Sequence, residues 1–344
     1  VFDKNNPHNV DSLLQFTIEG FPEGSVDEYG LPRSTLSVTT EVEAKNSLQV
    51  IDLATAGDPA YAIAYRNDER QKSVVGHISM VLDTSGSMTY DMAGRTPQEW
   101  YYKPPARISI LKSEAKQMID AFAQEDNIDI GLVPFATSAN TPVTPGYPGG
   151  APIPFYNSQT NAANLKSRID ALDAVGGTNT GDGLRRAYWA LKSHNASVPS
   201  GVVAKNYLIV LVDGVTTFAS VISSSNRNFY EPDGNVNEGY LDRQGEYSPA
   251  GQIAGNGSSL DAKGTAYVNL MGSKLKTNNF AKTYVIGFSA KPSDLDSVND
   301  IAAACGAPAE RVFRAGDQDS LAVVFSTIQQ DIVNDLWFLQ GPQL

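Results

Sequence analysis

Apolar and polar positions divide the chain into two regimes. Up to about residue 75 the apolar residues come in short, partly alternating runs rich in Thr, Val and Ile (13–20, 34–44, 48–54 and 61–66), separated by the turn signals FPEGS, YGLP and AGDP. This predicts a small β-rich module over 1–75. From His77 onward apolar strand-like runs fall at 77–83, 128–135, 206–213, 282–288 and 311–315, with 77–83 and 206–213 reading as fully buried strands. Amphipathic stretches separate them. Over 107–122, Ile108, Leu111, Ala115, Met118, Ile119 and Phe122 share one helical face; over 321–332, Leu321, Val324, Phe325, Ile328 and Ile332 do so. Strands alternating with helices predict an α/β fold, a doubly wound, mostly parallel sheet, over 76–335. Three insertions interrupt it: 89–105 (polar and aromatic), 140–157 (rich in Pro and Gly) and 215–257 (rich in Asn, Ser and Gly). Uninterrupted loops of such length tend to be functional or disordered, and we expect the first and third, which directly follow the strand ends at Asp83 and Asp213, to wall a recognition surface. The ending, 336–344, has an apolar run at Leu336–Leu339 and reads as strand-like, returning to the N-terminal β module.

Composition narrows the function. With 41% hydrophobic and 19% charged residues, the 344-residue chain can bury a sizeable core. Its net charge of −12 argues against nucleic acid as a partner, because phosphate binding needs a basic face. No apolar run approaches the length of a membrane span. The chain begins at Val1 rather than Met, so any membrane attachment is expected through an anchor that is not part of this chain. Cys305 is the single cysteine, so no intrachain disulfide can form; in IAAACG it reads as a small buried hydrophobe.

The chemistry concentrates at strand ends. HISMVLDTSGSM (77–88) is a buried strand that ends on Asp83 and is followed at once by Ser85 and Ser87. VGGTNTGDGL (175–184) is a glycine-rich loop entering a helix, with Thr178 in it; NYLIVLVDG (206–214) is a second buried strand, ending on Asp213. Clustered carboxylate and hydroxyl oxygens suit a hard divalent cation, Mg²⁺ or Mn²⁺ with Ca²⁺ as a third option, better than zinc or copper. The carboxyl ends of parallel strands are where such sheets keep their ligands.

These three motifs resemble the von Willebrand factor A (VWA) domain family. Its metal-ion-dependent adhesion site is Asp-x-Ser-x-Ser, a Thr in a Gly-rich loop and an Asp after a later strand. The resemblance implies a metal held by Asp83, Ser85, Ser87, Thr178 and Asp213, with the hydroxyls coordinating directly and the aspartates directly or through water. It also implies a binding module rather than an enzyme, whose under-compensated ion takes an acidic side chain from a protein partner. More loosely, the layout resembles the TadG-like proteins of bacterial Tad (Flp) pilus systems. The shared features are a strand-like segment, 34–66, running into VLDTSGSM, then VPF, GGTNTGDGL, VIGF and FSTIQQDI. That resemblance implies an extracytoplasmic location, in the periplasm, at the cell surface or with a pilus, and other pilus components as partners.

Other readings stand beside these. Ser, Thr and Asp after strands also cap helices. A serine nucleophile, and with it a Mg²⁺-dependent hydrolase, needs a base, and the chain has only His8, His77 and His194. His77 opens a buried strand and is expected to be satisfied in the core; His194 falls at a helix end, where the dipole favours a cation. Asp182 is expected to cap the helix of Leu184–Leu191. Asp233-Gly-Asn235-Val-Asn237 begins like a calcium loop, but Glu238 and Gln244 break the pattern, which leaves a solvated turn. Trp100, Tyr101, Tyr102 and Phe155 are either exposed contacts or pins for the insertions. Finally, the metal could be a structural staple alone.

Overall fold

The computed structural model describes residues 16–20, 34–38, 74–99, 104–139, 152–223, 226–236 and 252–340, with side chains described between 74 and 336. The expected strands 48–54 and 61–66, and residues Trp100, Tyr101, Tyr102, Glu238 and Gln244, lie outside these. The chain divides into two units, Val1–Ser73 with Trp337–Leu344, and Val74–Leu336. In the first, β1 (Phe16–Gly20) pairs antiparallel with β2 (Ser34–Val38), with Ile18 opposite Leu36.

The second unit is built on strands β3 (Val74–Asp83), β4 (Ile128–Phe135), β5 (Phe155–Asn157), β6 (Val203–Val212), β9 (Lys282–Phe288) and β10 (Val312–Ala315), in spatial order β10-β9-β6-β3-β4-β5. Every pair is parallel except β4 with β5. Alternation along β3 splits the core. Ile78, Met80 and Leu82 pack with α1 (Arg107–Phe122), α2 (Ala162–Asp170) and α6 (Gln318–Gln340). Val81 faces the other way, toward α3 (Thr180–Asn195), α4 (Ala262–Lys276) and α5 (Val298–Cys305). This is the expected two-faced α/β architecture. From β3 the chain crosses through α1 to β4 on one side; α3, on the opposite face, brings it back to β6 on the other side. The carboxyl ends of β3 and β6 therefore adjoin at the switch point of the sheet.

Four expectations change in detail. The buried stripe of α1 runs through Ile110 rather than Ile108, which is only partly buried, and includes the charged Arg107 and Glu114. The apolar run Leu336–Leu339 is not a strand: α6 continues through it to Gln340, and Leu336 is the next rung of the helical stripe Leu321, Phe325, Ile328, Ile332. Its Cδ1 lies 2.7 Å from where a side chain on Gly76 would begin, so the leucine fills the space that glycine leaves on β3. The 140–157 insertion ends as an edge strand, with the Phe155 ring 2.8 Å from the place of a Gly131 side chain, so Phe155 is a pin. The 215–257 insertion contains β7 (Phe218–Val221) and β8 (Gln252–Gly255), an antiparallel pair over a small core of Phe218, Val236 and Ile253. Among the described residues no helix is long and apolar enough to cross a membrane.

Candidate metal site

At the end of β3 the backbone N–H of Ser85 donates to Asp83 Oδ1 (2.8 Å), a local turn that aspartate favours, and Thr84 ties the strand end to Phe135 O on β4. The next residues, Gly86–Thr89, form a 3₁₀ turn. Two backbone bonds lace this turn to the glycine loop: Gly86 N–H to Gly176 O (2.9 Å) and Val175 N–H to Thr84 O (2.9 Å). Glycine is needed in that loop. Gly176 has φ +79°, and a Gly177 side chain would start 2.3 Å from the Phe218 ring. Thr178 is fixed from the far side, its N–H donating to Thr217 Oγ1 (2.9 Å) while its carbonyl accepts from Thr217 and Phe218.

Asp83, Ser85, Ser87 and Asp213 form one connected group. Asp213 N–H donates to Asp83 Oδ2 (3.3 Å), the Ser87 hydroxyl donates to Asp213 Oδ1 (2.8 Å), and the Ser85 and Ser87 hydroxyl oxygens are 3.0 Å apart. Thr178 lines the same cavity of about 390 Å³ as Ser87, Asp213, Thr217, Arg107 and Lys291. Both aspartates are fully buried. Burial, and behind it the Asp213 charge, pushes the Asp83 carboxyl up to about 8. Burial also raises Asp213, against the pull of Arg107 and the Ser87 hydrogen bond.

Sequence reasoning missed Arg107. Its guanidinium, 1% exposed, donates to Asp213 Oδ2 and O (3.1 Å each), Asp294 Oδ2 (3.0 Å), Ser289 Oγ (2.9 Å) and Asp91 O (3.0 Å). A signal was present, because Arg107 falls in phase with Leu111, Glu114 and Met118 on the buried stripe of α1. Asp182 also has a different role from the one expected. The cap of α3 is Asn179, whose side chain accepts from Asp182 N–H. The Asp182 carboxylate is instead a buried hub, accepting from Arg185 Nε (2.8 Å), Ala139 N–H (2.7 Å) and Ser220 Oγ (2.9 Å). It anchors the helix that follows the glycine loop. The Asp233 turn is used locally, its carboxylate paired with Arg186.

Residues 78–215, which span all three motifs and the strands that carry them, match the family model of the von Willebrand factor type A domain. The chain carries a VWA domain. Among solved structures it is similar to the PilB minor pilin from Streptococcus sanguinis, at 25% identity over 96% of this chain and 80% of that one, with a TM-score of 0.61. An aspartate-to-alanine mutant of the same pilin superposes with a TM-score of 0.61, at 21% identity over 96% of this chain and 81% of that one. No curated protein matches the chain.

The donor set of this VWA domain fits a hard dication. Two carboxylates and three hydroxyls supply oxygen only, which favours Mg²⁺, Mn²⁺ or Ca²⁺ over softer metals. Neighbouring ligands of an octahedral ion with bonds of 2.0–2.1 Å stand roughly 2.9 Å apart, and the Ser85 and Ser87 oxygens are 3.0 Å apart. Burial raises both carboxyls, and Arg107 pairs with Asp213 and Asp294 rather than with Asp83, so a dication bound there would favour their charged forms.

Proposed function

We propose that this protein is a metal-ion-dependent binding module of a surface pilus, placed outside the cytoplasm. Asp83, Ser85, Ser87, Thr178 and Asp213 would hold Mg²⁺ or Mn²⁺, with Asp213 oriented by Ser87 and Arg107. The observation that carries this reading is the pair of serine hydroxyls 3.0 Å apart beside two buried aspartates, at the mouth of a cavity where Lys291 is more than half exposed. Bound there, the cation would supply an electrophilic position for a carboxylate of a protein partner. Lys291 adds positive charge at the rim, while Arg107 holds Asp213 so that its exchange with the incoming acid is disfavoured. The likeness to a minor pilin supports a place among pilus components. Within that class, the layout shared with TadG-like proteins makes a Tad (Flp) pilus the assembly to test first.

Hydrolysis is disfavoured by placement. His77 and His194, the described histidines, sit at the opposite end of the sheet from Ser85, so neither imidazole can act as its base.

The test is calorimetric titration of Mg²⁺ and Mn²⁺ into chelator-stripped wild type and Asp83→Ala, beside adhesion and pilus assembly in the native host. We expect binding in the wild type alone, with Asp83→Ala folded but inactive in adhesion. A wild type that binds neither ion, or that adheres normally in chelator, would refute the reading.

A further inference from the structure

At the other end of β3 a second group of metal-ligating side chains comes together from three elements. His77 on β3 lies opposite Asp129 on β4 in the parallel register, and the last turn of α3 brings His194 over both. One ring nitrogen of each histidine and one carboxylate oxygen of Asp129 lie within 4.8 Å of one another. His194 Nε2 is 3.0 Å from Asp129 Oδ2. The His194 ring is held by Phe155, stacked at 4.4 Å with the planes 7° apart. His77 is fixed from behind, its Nδ1 lying 2.7 Å from Asn195 Oδ1. An amide oxygen only accepts, so His77 Nδ1 carries the proton and the lone pair is on Nε2. An imidazole whose second nitrogen donates to a carbonyl is the arrangement in which proteins orient metal-bound histidine.

We propose that His77, His194 and Asp129 form a second metal site, for a borderline transition cation such as Zn²⁺. Two imidazoles and one carboxylate are a zinc-type donor set and a poor one for Mg²⁺, so the two ends of β3 take different classes of ion. Tetrahedral zinc with bonds near 2.0–2.1 Å spaces its ligands by roughly 3.3–3.5 Å. His194 and Asp129 already stand near that spacing, at 3.0 Å, and from the 4.8 Å limit the remaining contraction is at most about 1.5 Å. His194 and Asp129 have side chains 23% and 29% exposed, so they can make that movement, while the buried His77 supplies the rigid anchor. Two of the three protein ligands are partly exposed, so a fourth position would be left to water. The strand between the two sites places them about 20 Å apart, so neither shares a ligand with the other.

The experiment is titration of Zn²⁺ and Co²⁺ into the full chain, by competition with a chromophoric chelator and by cobalt absorption, in wild type and in Asp83→Ala. We expect one equivalent bound tightly in both, because the proposed site does not use Asp83; this separates its failure from failure of the oxygen-ligand site. His194→Gln and Asp129→Asn should each remove that equivalent. Asn195→Ala, which loses only the orienting acceptor, should weaken it about 10-fold. Thermal unfolding checks that each variant is folded. In the wild type, the ring ¹⁵N signals of His77 and His194 should shift on zinc addition, a readout that needs no variant. Wild type that takes up no zinc, zinc uptake that survives both His194→Gln and Asp129→Asn, or unmoved histidine signals would overturn the proposal.

Discussion

Replacing Arg107 by methionine separates the charge logic of the oxygen-ligand site from its packing. Methionine keeps the apolar stem of a side chain that is 1% exposed, but withdraws the guanidinium from Asp213, which is fully buried, and from the backbone oxygens of Asp91 and Asp213. Removing one partner of a buried ion pair costs about 3–5 kcal/mol, chiefly because the other charge is left without compensation. Asp294, 20% exposed and 3.4 Å from Lys291, retains a partner and adds little. The expected loss is therefore about 3–5 kcal/mol without metal, or roughly 6–20 °C in Tm for a domain of this size. A dication at the site restores positive charge beside Asp213, so saturating Mg²⁺ should stabilise Arg107→Met more than it stabilises wild type. Each tenfold gain in affinity widens that difference by about 1.4 kcal/mol at fixed free metal. Urea unfolding followed by circular dichroism, in chelator and in Mg²⁺, measures both quantities. Lys116→Met serves as the control, since its exposed pair with Asp170 should cost no more than about 1 kcal/mol. A loss in chelator as small as the control's, or an equal loss with and without Mg²⁺, would refute the reasoning.

Gly177→Ala should drive a methyl into the Phe218 ring, costing about 1–3 kcal/mol and displacing Thr178; calorimetry should show Mg²⁺ affinity falling at least about tenfold. For Asp182, burial alone would raise the carboxyl, but the Arg185 charge and the hydrogen bonds outweigh it and hold the group below its ordinary value. Its stabilising contribution is thus present above the unfolded carboxylate range and lost as pH falls below about 4. Unfolding curves of Asp182→Asn against pH should lack that part of the acid loss while being less stable at neutral pH. Phe155→Ala should uncover Gly131 and free the His194 ring, lowering stability by about 2 kcal/mol in urea unfolding because the side chain is only half-buried.

What could be read in the chain follows from the period of burial. Strands β3, β6 and β9 are buried on both faces over most of their length, so their runs are mostly apolar, and the aspartates at the ends of β3 and β6 stand out against them. The stripe of α6 was legible for the same reason, but its last rung, Leu336, was not. A four-residue apolar run has no period of its own, and it is the unbroken continuation of α6 that makes it helix, with Leu336 over Gly76. β5, β7 and β8 are three or four residues long and are defined by pairing partners far along the chain. Arg107, and the hub role of Asp182 in place of the expected cap, were not legible because their partners are brought to them by the fold. Each is buried by partners more than thirty residues away, Asp213 and Asp294 for the one, Ala139 and Ser220 for the other. The His77, Asp129 and His194 cluster is likewise assembled by strand register, and spacing along the chain does not announce it.

The lacing of the oxygen-ligand site has a kinetic consequence. Ser87 and Asp213 are 126 residues apart in the chain, and Asp83 and the Asp213 amide 130, so the site exists only once β3 and β6 have paired in register. The unfolded chain offers the ion no prearranged partner. If that pairing completes after the rate-limiting step, the metal enters a finished socket: Mg²⁺ should leave the refolding rate unchanged and slow unfolding by the whole of its binding energy, acting as a latch on the folded domain rather than a nucleus for it. Stopped-flow refolding that accelerates with Mg²⁺ would instead place the pairing of β3 with β6 at or before the transition state.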